Sequence, residues 1–125
     1  MSDEEQSPAE KPFVTAYGDG GFRVLGERIE GSIFITPEEA QPWPIAAADA
    51  LANMDLSPFL ALEGRVDVLL IGAGDTHFPP VKALTEALMD IGISVDFMST
   101  GSACRTFNVL QSDGRHVACA LIAVE

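Results

Sequence analysis

The residues best suited to chemistry lie in two short stretches of the second half of the chain. They are Gly72-Ala73-Gly74-Asp75-Thr76-His77 and Thr100-Gly101-Ser102-Ala103-Cys104-Arg105-Thr106-Phe107-Asn108. Each follows an apolar run and leads toward a helical pattern, so each sets polar side chains beside the free N–H groups of a helix start. Such a place suits an anion. Arg105 could hold a carboxylate or phosphate there through two parallel hydrogen bonds. It could equally lock loop to helix by pairing with Asp75, Asp96 or an acid of the first half. His77 can titrate near neutral pH, and Asp75 or Thr76 can cap the helix that follows. Ser102 is the candidate N-cap of the later helix. Asn108, a turn below Arg105, can hydrogen-bond neighbouring backbone.

Complete catalytic motifs do not accompany these residues. Gly72 and Gly74 match the start of a dinucleotide fingerprint, but its third glycine would fall on His77. No Gly-Lys-Ser/Thr occurs, and Ser102 has Thr100 two residues before it, so there is no nucleophile elbow. Ser99 or Ser102 with His77 and Asp75 would form a triad without that elbow. A metal would need Asp75 or Asp96 to converge on a histidine. Cys104 and Cys119 sit beside alanines and read as small buried hydrophobes in a reducing compartment. A thiol at position 104 would be acidified by the helix start only if exposed. The residues therefore predict a non-catalytic crevice made by Gly72, Gly74, Asp75, His77, Thr100, Ser102, Arg105 and Asn108, with no cofactor and no metal.

The two loops can meet only if the runs before them are neighbouring strands. Val66–Ile71 is aliphatic almost throughout, as a strand covered on both faces must be. Pro80–Ile91 repeats Val81, Leu84, Leu88 and Ile91 at helical spacing. Ile93–Met98 alternates as a strand, Ser102–Gln111 reads as a helix and His116–Val124 as the last strand. That order predicts parallel pairing with right-handed crossovers, and ligand sites outside the strands' carboxyl ends. Upstream, residues 13–25 read as a hairpin about Gly18-Asp19-Gly20-Gly21. Gly26-Glu27 is the next turn, and Arg28–Thr36 a further run with Gly31 as a bulge. Residues 38–44 read as a connector. Residues 45–53 are open between helix and extended chain, and Ser57-Pro58 starts a short helix. Trp43 is either core or an interface anchor. The expected fold is a mixed α+β and α/β layered single domain over residues 13–125. It has an N-terminal antiparallel meander, then a βαβ-α-β unit with helices packed on one mixed sheet. Residues 1–12, polar, acidic and proline-bearing, are expected to be a disordered tail.

Charge narrows the partners. The 125 residues carry 19 acids against 7 bases, a net charge of −12. Such a surface repels nucleic acid and anionic membranes unless a basic patch intervenes, and none is visible. No apolar run approaches the roughly 20 residues of a membrane span. The start Met1-Ser2-Asp3-Glu4-Glu5 is neither a secretory nor a mitochondrial signal. The expected compartment is the cytoplasm.

The stretch from Thr100 to Leu110, with Asp113-Gly114-Arg115-His116-Val117-Ala118-Cys119-Ala120-Leu121-Ile122, carries a resemblance. Gly31-Ser32-Ile33, Trp43 and Leu69-Leu70-Ile71-Gly72-Ala73-Gly74 extend it to about residues 13–123. The chain resembles a family of small domains of unassigned function, bacterial and archaeal, that includes the mitochondrial complex I assembly factor 3. The resemblance implies a layered fold with a mixed sheet, no agreed enzyme activity, and protein partners among respiratory-complex subunits or assembly proteins. It implies a binding or assembly module that assists biogenesis of a respiratory or other membrane complex. The residues keep open an alternative, a binder or enzyme for a small anionic metabolite at the crevice of loops 72–77 and 99–105.

Overall fold

Strand β6 (Val68–Gly72) is the axis of the molecule, pairing in parallel with β7 (Ser94–Met98) on one side and β8 (Val117–Leu121) on the other. The computed structural model describes residues 11–75 and 80–125. β8 in turn pairs antiparallel with β4 (Ile33–Ile35), and β4 with β5 (Ala40–Pro42), completing a five-stranded sheet ordered β5-β4-β8-β6-β7. Every residue of β8 is buried, and all but the first of β6, as a central position between two covered faces requires.

The two faces carry two cores. Leu69, Ile71, Ala118, Ala120 and Phe34 face one side, covered by Leu84 and Leu88 of helix α2 (Lys82–Met89). Leu51 of a 3-10 turn (Ala48–Asn53) and Phe59 of α1 (Ser57–Leu60) close that side. Leu70, Val117, Cys119, Leu121, Ile33 and Ile35 face the other. Helix α3 (Thr100–Ser112) covers these with Ala103, Cys104 and Phe107. The crossovers β6–α2–β7 and β7–α3–β8 run in opposite directions across the sheet, which sends their helices to opposite faces. Trp43 is a core residue, 7% exposed, and packs edge-on to Phe59, which packs edge-on to Phe34 with ring centres 5.4 Å apart.

The expected antiparallel meander forms, and of its runs only the last, β4, adds to the mixed sheet. β1 (Val14–Gly18), β2 (Gly21–Val24) and β3 (Glu27–Glu30) form an antiparallel sheet of their own rather than extending the mixed sheet. The reason is legible in burial. β3 is Glu-Arg-Ile-Glu and has one apolar side chain to hide, whereas all of Ile33-Phe34-Ile35 is buried on both faces. A strand of the first kind cannot flank one of the second in a two-faced sheet. Gly31 is not a bulge but the corner between sheets: its φ is +83°, and its N–H donates to the Gly20 carbonyl at 2.7 Å. The register break lies in β1, between Val14 and Ala16. The second turn is Leu25-Gly26, not Gly26-Glu27. The expected connector contains β5, whose Pro42 sits on the sheet edge where a missing N–H costs nothing. Of the expected tail, residues 1–10 lie outside the described residues. Pro12 is buried, and its carbonyl accepts from Gln111 Nε2 at 3.2 Å.

Phe59 is fully buried and joins Phe34 to Trp43. Phe59→Ala should cost about 3–5 kcal/mol in urea unfolding, with an unchanged m-value. A loss below about 1 kcal/mol would contradict a shared aromatic core.

Candidate functional site

The loops after β6 and β7 do lie side by side, and hydrogen bonds stitch them together. Ala73 N–H donates to the Met98 carbonyl at 2.8 Å, and Thr100 N–H to the Gly74 carbonyl at 2.9 Å. The Thr100 hydroxyl accepts from Gly74 N–H at 3.0 Å and donates to the Ile122 carbonyl at 2.7 Å. One fully buried side chain thus ties the carboxyl ends of β6 and β8 to the first residue of α3. Gly72 permits this approach: a Cβ there would stand 2.9 Å from Thr100 Cα and 2.8 Å from a Leu121 methyl. Among the described residues, Thr100 and Gly72 therefore join the two loops through buried contacts.

Ser99, not Ser102, caps α3. Its Oγ accepts from Ser102 N–H at 3.3 Å. The helix consequently starts two residues earlier than expected, and Arg105 lies in its second turn. The N–H groups of Thr100 and Ser102 already have acceptors, which leaves an anion fewer donors at this end. Asp75 is exposed beside the loop, and α2 begins at Lys82 with Val81 in the cap position and no side-chain cap. His77, like Thr76, lies outside the described residues.

Arg105 is exposed. Its guanidinium reaches the Tyr17 hydroxyl at 3.5 Å and Ser102 Oγ at 3.3 Å, and neither partner is an acid. The Tyr17 ring end sits over Gly101, where an added Cβ would meet the hydroxyl at 2.6 Å. Asn108 is committed to structure. Its Oδ1 accepts from Val14 N–H at 2.9 Å and its Nδ2 donates to the Val14 carbonyl at 2.8 Å, so the side chain pairs with β1 as a strand would. Gln111 acts similarly a turn below, holding the Pro12 carbonyl, while its Oε1 is buried without a partner among the described residues. The sequence reading passed over Tyr17 and Gln111. Both act across about ninety residues of chain, where periodicity carries no signal.

The described members of the expected crevice set divide in three. Gly72, Gly74, Thr100 and Asn108 make contacts that build the fold, Ser102 and Arg105 meet at the surface with Tyr17, and Asp75 is exposed in the loop after β6. α3 carries no Asp or Glu over all thirteen residues, and Arg105 is its single charge, in a chain with 19 acids. Tyr17, beside Arg105, is 43% exposed, and Val109, four residues along the helix from Arg105, is 60% exposed. Among the described residues no helix is long and apolar enough to cross a membrane, and no three His, Cys, Asp or Glu side chains group as a metal site needs.

Both thiols are buried, so position 104 is not an acidified one. Burial pushes Cys104 up to about 12, with the Arg105 charge only partly opposing it, and pushes Cys119 well above the usual thiol range. The folded state therefore keeps thiol protons that the unfolded chain loses above about pH 8.5. Stability should be intact below that pH and fall as pH rises toward 12, by about 1.4 kcal/mol per unit for each thiol. Cys104→Ala should flatten the slope by that amount in urea unfolding between pH 8 and 11. An unchanged slope would place the thiol in water. Thr100→Val keeps the shape but strands Gly74 N–H and the Ile122 carbonyl. It should cost about 1–3 kcal/mol and speed hydrogen exchange at Gly74; equal stability and exchange would show the hydroxyl to be dispensable.

The chain is 38% identical over 113 residues to a Drosophila melanogaster protein named NADH dehydrogenase (ubiquinone) 1 alpha subcomplex assembly factor 3. The match covers 88% of this chain and 58% of that protein, so the chain spans less than two thirds of the relative's length. It is 40% identical over 111 residues to an uncharacterized protein of Rhodobacter capsulatus, covering 87% of this chain and 82% of the other. A crystal structure described as an outer membrane protein from Bartonella henselae superposes with a TM-score of 0.84 at 35% identity, covering 94% of this chain and 98% of that one. The family model described as a protein of unknown function (DUF498/DUF598) matches residues 14–122, from the start of β1 to just past β8. The chain belongs to that family, the same small-domain family that includes complex I assembly factor 3.

Proposed function

We propose that the chain is a non-enzymatic binding module that assists the biogenesis of a respiratory or other membrane protein complex, docking a protein partner on the outer face of α3. The observation that carries this reading is the similarity, across both sheets and α3, to proteins named as assembly factors of a respiratory NADH dehydrogenase. The surface supports it. Tyr and Arg are enriched in the energetic centres of protein interfaces, and charged side chains other than Arg are depleted. Arg105 and Val109 on a helix free of acids, with Tyr17 of β1 beside Arg105, provide that composition in a chain of net charge −12. Arg105 has spare donors to give a partner, since its two contacts within the chain are long and to neutral groups.

The test is affinity capture from a native bacterial extract with membranes included, wild type beside Arg105→Ala, read by mass spectrometry. Wild type should recover respiratory-complex subunits or their assembly proteins, and Arg105→Ala should lose at least about tenfold of that recovery. Its thermal midpoint should stay close to wild type, because the side chain is exposed. Recovery of nothing specific, or equal recovery by the variant, would remove this reading of the α3 face.

A further inference from the structure

We propose that the groove beside the β2–β3 turn is a second docking site, and that it takes a partner protein's segment presenting an apolar side chain next to a carboxylate. The groove encloses about 320 Å³ and is lined by Lys11, Phe13, Thr15, Leu25 and Gly26. None of these belongs to the α3 face, so the inference stands apart from the reading above.

Three irregularities meet here. The first is Leu25. The meander has two two-residue turns of the same kind, Asp19-Gly20 and Leu25-Gly26, with φ near +53° at the first position and near +80° at the second. Such turns favour Asn, Asp or Gly, and the first turn obeys. The second places a leucine in the left-handed region, and leaves it 45% exposed. A residue that breaks a local rule at the surface, where its neighbour turn keeps it, points to a demand other than folding. The second irregularity is the register break in β1, which gives Thr15 an extra position in the strand and an exposed side chain at the groove. Its hydroxyl donates to the Arg23 carbonyl at 3.1 Å.

The third is charge. In a chain of net −12, the described residues that line the groove include no carboxylate and one lysine. Arg23 adds a second cation at the rim, donating from Nη1 to the carbonyl of the lining residue Gly26 at 3.2 Å. The floor is apolar, from Phe13 and Leu25. Two of the seven basic residues over such a floor complement an acidic residue flanked by an apolar one. A second copy of this acidic chain fits less well, because long-range repulsion opposes it.

The test is an NMR titration of the full chain with the peptide acetyl-Gly-Gly-Leu-Glu-Gly-Gly-amide, its Leu-Gln counterpart and N-acetyl-leucine. The Leu-Glu peptide should shift the amide signals of Phe13, Thr15, Leu25 and Gly26, and the Leu-Gln peptide should bind at least about threefold more weakly. Leu25→Asn restores the residue this turn prefers, so it should fold as well as wild type and bind at least about tenfold more weakly. Lys11→Glu should weaken binding in the same direction. Shifts absent at these positions, or unchanged in Leu25→Asn, would overturn the site. N-acetyl-leucine binding as tightly as the peptide would overturn the partner segment in favour of a small-molecule pocket. Shifts that follow protein concentration without peptide would overturn it in favour of self-association.

Discussion

The Thr100 hydroxyl is the contact on which the arrangement turns. A buried hydroxyl must find partners or cost free energy, and this one has a donor on one side and an acceptor on the other. Both are backbone groups at strand ends that have run out of sheet neighbours, so a single side chain completes the ladder where the ladder stops. It also fixes where α3 begins. Once Thr100 is anchored, the helix runs down the second face of the sheet with Ala103, Cys104 and Phe107 turned inward. At the carboxyl end of the sheet, where open α/β proteins keep their ligands, the described residues of the two loops bond to one another. The exposed side chains of α3 are accordingly on the far side of the helix.

α3 serves three directions at once because its side chains repeat every third and fourth residue. Its inner stripe fills the core. One flank grips extended chain, Asn108 taking Val14 as a strand would and Gln111 holding Pro12. The outer stripe shows Ser102, Arg105 and Val109 to solvent. The flank joins the two sheets, because β1 belongs to the meander and α3 to the larger sheet. The meander is braced from its own side by Arg28, which donates to the Gly18 and Asp19 carbonyls and to Glu30. Gly21 is needed for that reach, since a Cβ there would lie 2.8 Å from the guanidinium.

Much of the second half was legible in the sequence. The continuous apolar run of β6, the helical spacing of Leu84 and Leu88, and the glycine after α2 each carry a local signal, and each element formed where that signal lies. Asp19-Gly20 announced the first hairpin for the same reason. What escaped was decided at a distance. Whether β4 continues the meander or joins β8 depends on a strand more than eighty residues later. β5, with a proline, is a strand only because β4 offers it an edge. Ser99 and Ser102 are equally good caps by composition, and the pull of Gly74 on Thr100 selects the first. At the candidate site, Arg105 was visible as chemistry but its neighbour Tyr17 was not. The joining of the two loops depends on a missing Cβ at Gly72, whose sequence signal is the same as that of any turn glycine.

The position of β8 has a consequence for how the chain is made. It follows every other described strand in the chain and is one of the most central, pairing with β4 on one side and β6 on the other. Until it leaves the ribosome, Ile33–Ile35 has only the short β5 beside it, and β6 lacks a neighbour on one edge. At about 5–20 residues per second the nascent chain carries two half-built sheets with bare, apolar edges for several seconds. The five-stranded sheet is therefore complete only when β8 inserts between its two halves. Until β8 arrives, the apolar edges of β4 and β6 are the surfaces a holding chaperone would cover.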